Sequence, residues 1–129
     1  MAARPGTALL EQSRLVLADA ARADSAGERF TLAHLAALRT AAAVFASRGR
    51  PAGTRRRLVS AWVLLDAVAP ELREWAQLFA ASAPIRAAVE AGALSAVTPR
   101  AADDQLRSAE QFLAIVERSV GMLAAPIAS

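Results

Sequence analysis

The sequence predicts an all-α fold: a single bundle of four main helices with one or two short ones. Three observations carry this. Alanine supplies 35 of the 129 residues, and it has the highest intrinsic helix propensity. Apolar residues recur at i, i+3 and i+4 in several segments bounded by Ser, Thr, Gly or Pro, the residues that start and stop helices. No β-branched alternation and no Asn-Gly hairpin turn appears, so no sheet is expected. The length fits one domain over residues 1–129, with a core over about 7–120 and a tail at 121–129.

The elements follow in order. A first helix runs from about Thr7 to Ala23, with Leu10, Leu17 and Ala21 on its apolar line and Arg14 and Asp19 more exposed. Ser25-Ala26-Gly27-Glu28 has the pattern of a capping box. The second helix starts there and runs to Arg48, with Gly49 as its stop. Phe30, Ala33, Ala37, Ala41 and Val44 form one stripe along it, and Leu35, Leu38, Ala42 and Phe45 form another. A helix apolar on two stripes belongs at the centre of a bundle. Gly49–Arg57, GRPAGTRRR, is a loop. Ser60 caps a short third helix through Val68, and Pro70 suits the first turn of a fourth. Trp62, Leu65, Leu72, Trp75, Leu78 and Phe79 are core anchors in this region. Pro84 interrupts the fourth helix or starts a separate one, which Gly92 ends. Thr98-Pro99 opens the last helix, which carries Ala102, Leu106, Ala109, Leu113, Val116 and Val120 on one face and stops at Gly121.

Composition excludes several chemistries. There is no Cys and one His, so disulfides, thiolate catalysis and a Cys- or His-rich metal centre are ruled out. No phosphate-binding loop, nucleophile elbow, zincin or dinucleotide motif is present. No metal or cofactor is expected. All 15 basic residues are Arg, as a GC-rich coding bias favours. The net charge of +3 is too small by itself to indicate nucleic acid. Its distribution is uneven: residues 29–65 hold seven Arg and no acid, while residues 66–129 hold five Arg and eight acids. These halves can pair within a bundle or between protomers. Glu11, Arg14 and Asp19 break up the N-terminal apolar residues, and no uncharged apolar run reaches the ~18–20 residues of a membrane span. A cytoplasmic domain with no membrane contact is the expectation.

Three segments, ERFTLAHLAALRTAAAVFASR, SAWVLLDAVAPELREWAQLFA and AGALSAVTPRAADDQLRSAEQFLAIVE, resemble a small actinobacterial family of the HEPN superfamily, over roughly Ser25 to Glu117. The resemblance implies a HEPN-like bundle of about five helices and a homodimer. It also implies either a metal-independent RNase of the toxin or defence type, or a non-catalytic module that binds RNA or scaffolds proteins. The catalytic signature of the superfamily is an Arg followed four to six residues later by His, which Arg29 and His34 match here.

The chemistry of that pair is coherent. A His near neutral pH suits removal of a 2′-hydroxyl proton, and an Arg fork suits a developing phosphorane. Two features oppose it. Phe30 stands where the superfamily's active members carry a polar residue, and a five-residue offset turns the two side chains about 140° apart on a regular helix. The blander reading pairs Arg29 with Glu28 or a neighbouring helix and gives His34 one structural hydrogen bond.

Arg48, Arg50, Arg55, Arg56 and Arg57 form a second candidate, for RNA phosphates or an acidic protein partner. No aromatic residue is interleaved with them, so base stacking is not indicated. Asp103 and Asp104 fit the positive end of the last helix better than a Mg²⁺ site, with Arg107 four residues after Asp103 to balance it. The function expected is a non-catalytic protein- or RNA-interaction and dimerisation module. The alternative is an endoribonuclease using Arg29 and His34.

Overall fold

Five helices and two short 3₁₀ turns, with no strand, make up the described residues of the computed structural model, 4–49 and 60–124. The helix α2 (Ala26–Arg48) is the axis of the bundle and packs against all four others. Ser25 caps it, accepting from the Glu28 amide at 3.1 Å. The whole of the first expected stripe is buried, and so are His34, Ala36, Thr40 and Ala43 between the stripes. Among the described residues, α2 alone is long and apolar enough to cross a membrane by length and composition. Its first apolar stripe is covered by the bundle, while of the second Phe45 is buried and Leu35, Leu38 and Ala42 are partly buried.

The helix α1 (Thr7–Arg22) lies close against α2. Gly6 explains how close. Its φ is +89°, and a Cβ there would sit 2.8 Å from the Ala43 carbonyl oxygen. The buried line is Leu10, Ser13, Leu17 and Ala20; Ala21, expected on it, is exposed. Ser13 is tolerated in the line because its hydroxyl donates to the Ala36 carbonyl at 2.9 Å and lies 2.8 Å from the Thr40 hydroxyl.

Ser60 caps α3 (Ala61–Val68) through the Trp62 amide. A 3₁₀ turn at Pro70–Leu72 then leads into α4 (Arg73–Glu90). Pro84 neither interrupts α4 nor starts another helix. Pro84 and Ala80, whose carbonyl loses its partner there, both lie on the exposed side, where water can satisfy the freed oxygen. The helix ends with Gly92 at φ +102°. Gly92 donates to the Val89 carbonyl at 2.9 Å and Ala93 to the Ala88 carbonyl at 2.9 Å, a Schellman closure.

The last helix, α5 (Pro99–Ala124), is capped by the Thr98 hydroxyl, 3.0 Å from the Ala101 amide. It runs through Gly121 rather than stopping there. A single Gly costs about 1 kcal/mol in a helix, too little to end one by itself. A four-ring cluster joins α3, α4 and α5: Trp62 stacks on Phe79 at 5.1 Å, Trp75 on Phe112 at 5.7 Å, and Phe79 meets Phe112 at 5.4 Å. Leu78, expected in this core, is 39% exposed. It lies on the flank of α4 that turns away from the rings.

Candidate functional site

His34 is 1% exposed, in the middle of the bundle. The edge of its ring meets Trp62 at 5.6 Å and Phe79 at 6.2 Å. Its Nδ1 lies 3.0 Å from the Ser82 hydroxyl. The Gln105 amide nitrogen donates to the same hydroxyl at 3.0 Å, and that hydroxyl donates to the Phe79 carbonyl at 3.0 Å.

Nδ1, the Ser82 hydroxyl and the Gln105 amide thus form one buried polar knot: the ring nitrogen donates or accepts according to its tautomer, and the Gln105 amide nitrogen also lies 3.5 Å from Nδ1. The knot ties α2, α4 and α5 together. Burial, and secondarily the charge of Arg86, push the His34 pKa from 6.5 down to about 4, so the ring is neutral at physiological pH.

Arg29 lies five residues earlier on α2 and is engaged elsewhere. Its Nε donates to the Ala20 carbonyl at 3.2 Å and one terminal nitrogen to the Ala23 carbonyl at 2.8 Å. The other terminal nitrogen meets Asp103 of α5 at 2.9 Å. The guanidinium thus closes the C-terminal end of α1, where carbonyls lack helical partners, and ties it to the start of α5. Arg29 and His34 contact different residues. Among the described residues, neither lines a surface groove with the other.

One groove does lie above the histidine. It is an open channel of about 290 Å³ between α4 and α5, walled by Phe30, Leu78, Ala81, Ile85 and Ala101, with Ser82 and Gln105 beneath. The two helices are bridged here by long side chains rather than by backbone approach. Residues 20–117, about three-quarters of the chain, match the SAV_6107-like HEPN family. The chain belongs to that family. No curated protein and no solved structure matches it significantly.

The other predicted residues of this HEPN domain fall as follows. Arg48, at the end of α2, meets Glu71 at 2.5 Å and Ser119 at 3.4 Å. The hydrogen bond from Arg48 holds the Glu71 carboxyl below its usual range. Arg50, Arg55, Arg56 and Arg57 lie outside the described residues. Asp103 pairs with Arg29 rather than with Arg107, which takes Asp104 at 2.7 Å instead. Among the described residues no cluster of His, Asp and Glu is arranged to hold a metal ion.

Ser82 and Gln105 were not singled out by the sequence. One signal does mark Gln105. It falls between Ala102 and Ala109 on the apolar stripe of α5, a polar residue at a core position. Ser82 follows Phe79 by three in the same way.

Proposed function

We propose that this HEPN domain is a cytoplasmic interaction module, pairing with a second copy and holding an RNA or acidic protein partner without cleaving RNA. The observation that carries this is the placement of His34. A general base must reach the proton it removes, within about 2.6–3.2 Å or through one water. His34 is shut between Trp62 and Phe79, and its Nδ1 is already hydrogen-bonded to Ser82. Arg29 is engaged elsewhere, three of its five N–H donors being committed to two carbonyls and a carboxylate.

The partner chemistry follows from charge. Five Arg in ten positions, Arg48 to Arg57, suit phosphate or carboxylate groups. Arg48 is held by Glu71, which leaves Arg50, Arg55, Arg56 and Arg57 as the contact residues. The test is metal-free incubation of purified protein with single-stranded and structured RNAs, comparing wild type with His34→Asn. No cleavage above background by either is expected. Cleavage by wild type that His34→Asn abolishes overturns the proposal.

A further inference from the structure

The groove between α4 and α5 has apolar walls and a polar floor, and the floor holds one unmet group. Gln105 is 6% exposed. Its amide nitrogen belongs to the knot below, 3.0 Å from the Ser82 hydroxyl and 3.5 Å from His34 Nδ1. Its carbonyl oxygen, Oε1, has no hydrogen-bond partner among the described residues. That oxygen is not sealed in, since Arg86 Nε is the one side-chain atom among them that is both sealed and unpartnered. Oε1 therefore opens into the groove that Gln105 lines. Buried amides are normally satisfied on both sides. Here the acceptor is left for a donor that comes from outside.

We infer that the groove binds a small neutral heteroaromatic molecule of the indole type, with its single N–H donating to Gln105 Oε1. Size points to a small molecule: ligand pockets start at about 300 Å³, and about 290 Å³ holds one or two fused rings. Leu78 and Ile85 supply apolar surface, and the short Ala81 and Ala101 leave room for a ring. Charge points to a neutral one. Among the described residues no cation lines the groove, so a phosphate or carboxylate finds no partner there. The one acid in the lining, Asp104, is already balanced by Arg107 at 2.7 Å. The supply of donors narrows the class further. Ser82 gives its hydrogen to the Phe79 carbonyl, which leaves the Ser108 hydroxyl as the side-chain donor in the lining. A nucleobase presents several acceptors at once and would bury most of them unpaired, at a cost. An indole ring has one donor and no acceptor.

The test is NMR of the full chain. The protein's one histidine lies under the groove and shares Ser82 and Gln105 with its floor, so its ring protons report occupancy. Indole should shift that signal saturably, with a dissociation constant of about a millimolar, as a fragment of this size allows. Of two probes of equal size, 3-methylindole keeps the N–H and should bind like indole. 1-Methylindole lacks it and should bind roughly tenfold more weakly. Ala81→Phe fills the groove from an exposed position; it should keep the helical circular dichroism and abolish the shift. Folded Gln105→Met should no longer tell the two methylindoles apart. N-acetyltryptophanamide, the same ring carrying peptide groups, should bind no more tightly than indole. No saturable shift up to the solubility limit of indole, as when Oε1 meets water only, overturns the inference. So do equal binding of the two methylindoles by wild type, binding that survives Ala81→Phe, discrimination that survives Gln105→Met, and tighter binding of the peptide-like probe. None of these results bears on RNA cleavage, which is read on the RNA itself.

Discussion

His34 is buried as a neutral ring and has little affinity for a second proton. Its pKa is about 4 in the fold against 6.5 when free, so between these values the unfolded chain binds more protons than the folded one. Stability therefore falls as pH drops from 6.5 to 4, by up to about 3 kcal/mol from this residue, and the contribution is complete above 6.5. Carboxylates add their own acid dependence. The share of His34 is isolated by His34→Asn, whose amide can donate or accept in place of Nδ1 but does not titrate. Urea unfolding at stepped pH should show a shallower slope between 4 and 6.5 in the variant. Equal slopes in both would mean that His34 is solvated. Arg29 makes a second residue-scale case. Arg29→Met keeps the aliphatic stem but strips the Ala20 and Ala23 carbonyls of their donor and leaves Asp103 unpaired. A loss of about 2 kcal/mol in unfolding free energy is expected. If catalysis were the residue's role, stability would barely change.

At the scale of elements, caps and close approaches decide where helices begin and how near they lie. Gly6→Ala should destabilise by more than the ~1 kcal/mol typical of a surface change. The substitution imposes a side chain both at φ +89° and against the Ala43 carbonyl. A thermal melt checks it, and an unchanged midpoint would mean that α1 sits further from α2. Such local features were legible in the chain. Ser25, Ser60 and Thr98 stand where they cap α2, α3 and α5, because a capping hydroxyl acts within three residues. Pro84 and Gly121 misled, since the sequence does not reveal which carbonyl faces water or whether one Gly has enough weight to end a helix. Leu78 misled for a related reason. Periodicity marks an apolar stripe but not whether anything covers it. The site was less legible still. Arg29 meets Asp103 74 residues away, and His34 meets Ser82 and Gln105 48 and 71 residues away. Partners so distant are set by packing, and one chain in isolation carries no signal of them.

Across the whole molecule, the segregation of charge is partly resolved within the bundle. Arg29 and Arg48, from the basic middle, are tied to Asp103 and Glu71 of the acidic C-terminal half. The contacts of Arg14 with Glu117 and of Arg73 with Asp66 add bridges between elements. Each involves at least one half-exposed partner, and such pairs contribute about 0–1 kcal/mol. Raising salt should therefore shift the thermal midpoint only slightly, whereas any RNA bound through the Arg48–Arg57 segment should be released by it. Strong salt destabilisation of the free protein would show that ion pairs, not the apolar core around α2, hold the fold. The fold and the proposed lack of cleavage meet in one residue. The chain has a single histidine, so its ring protons give one unambiguous NMR signal. Following that signal from pH 8 to 3 tests directly whether His34 is a buried, hydrogen-bonded structural residue or an available base. A midpoint near 4, or unfolding before the ring titrates, is the result predicted. A reversible midpoint near 6.5 in the folded protein would contradict it and return His34 to the candidates for catalysis.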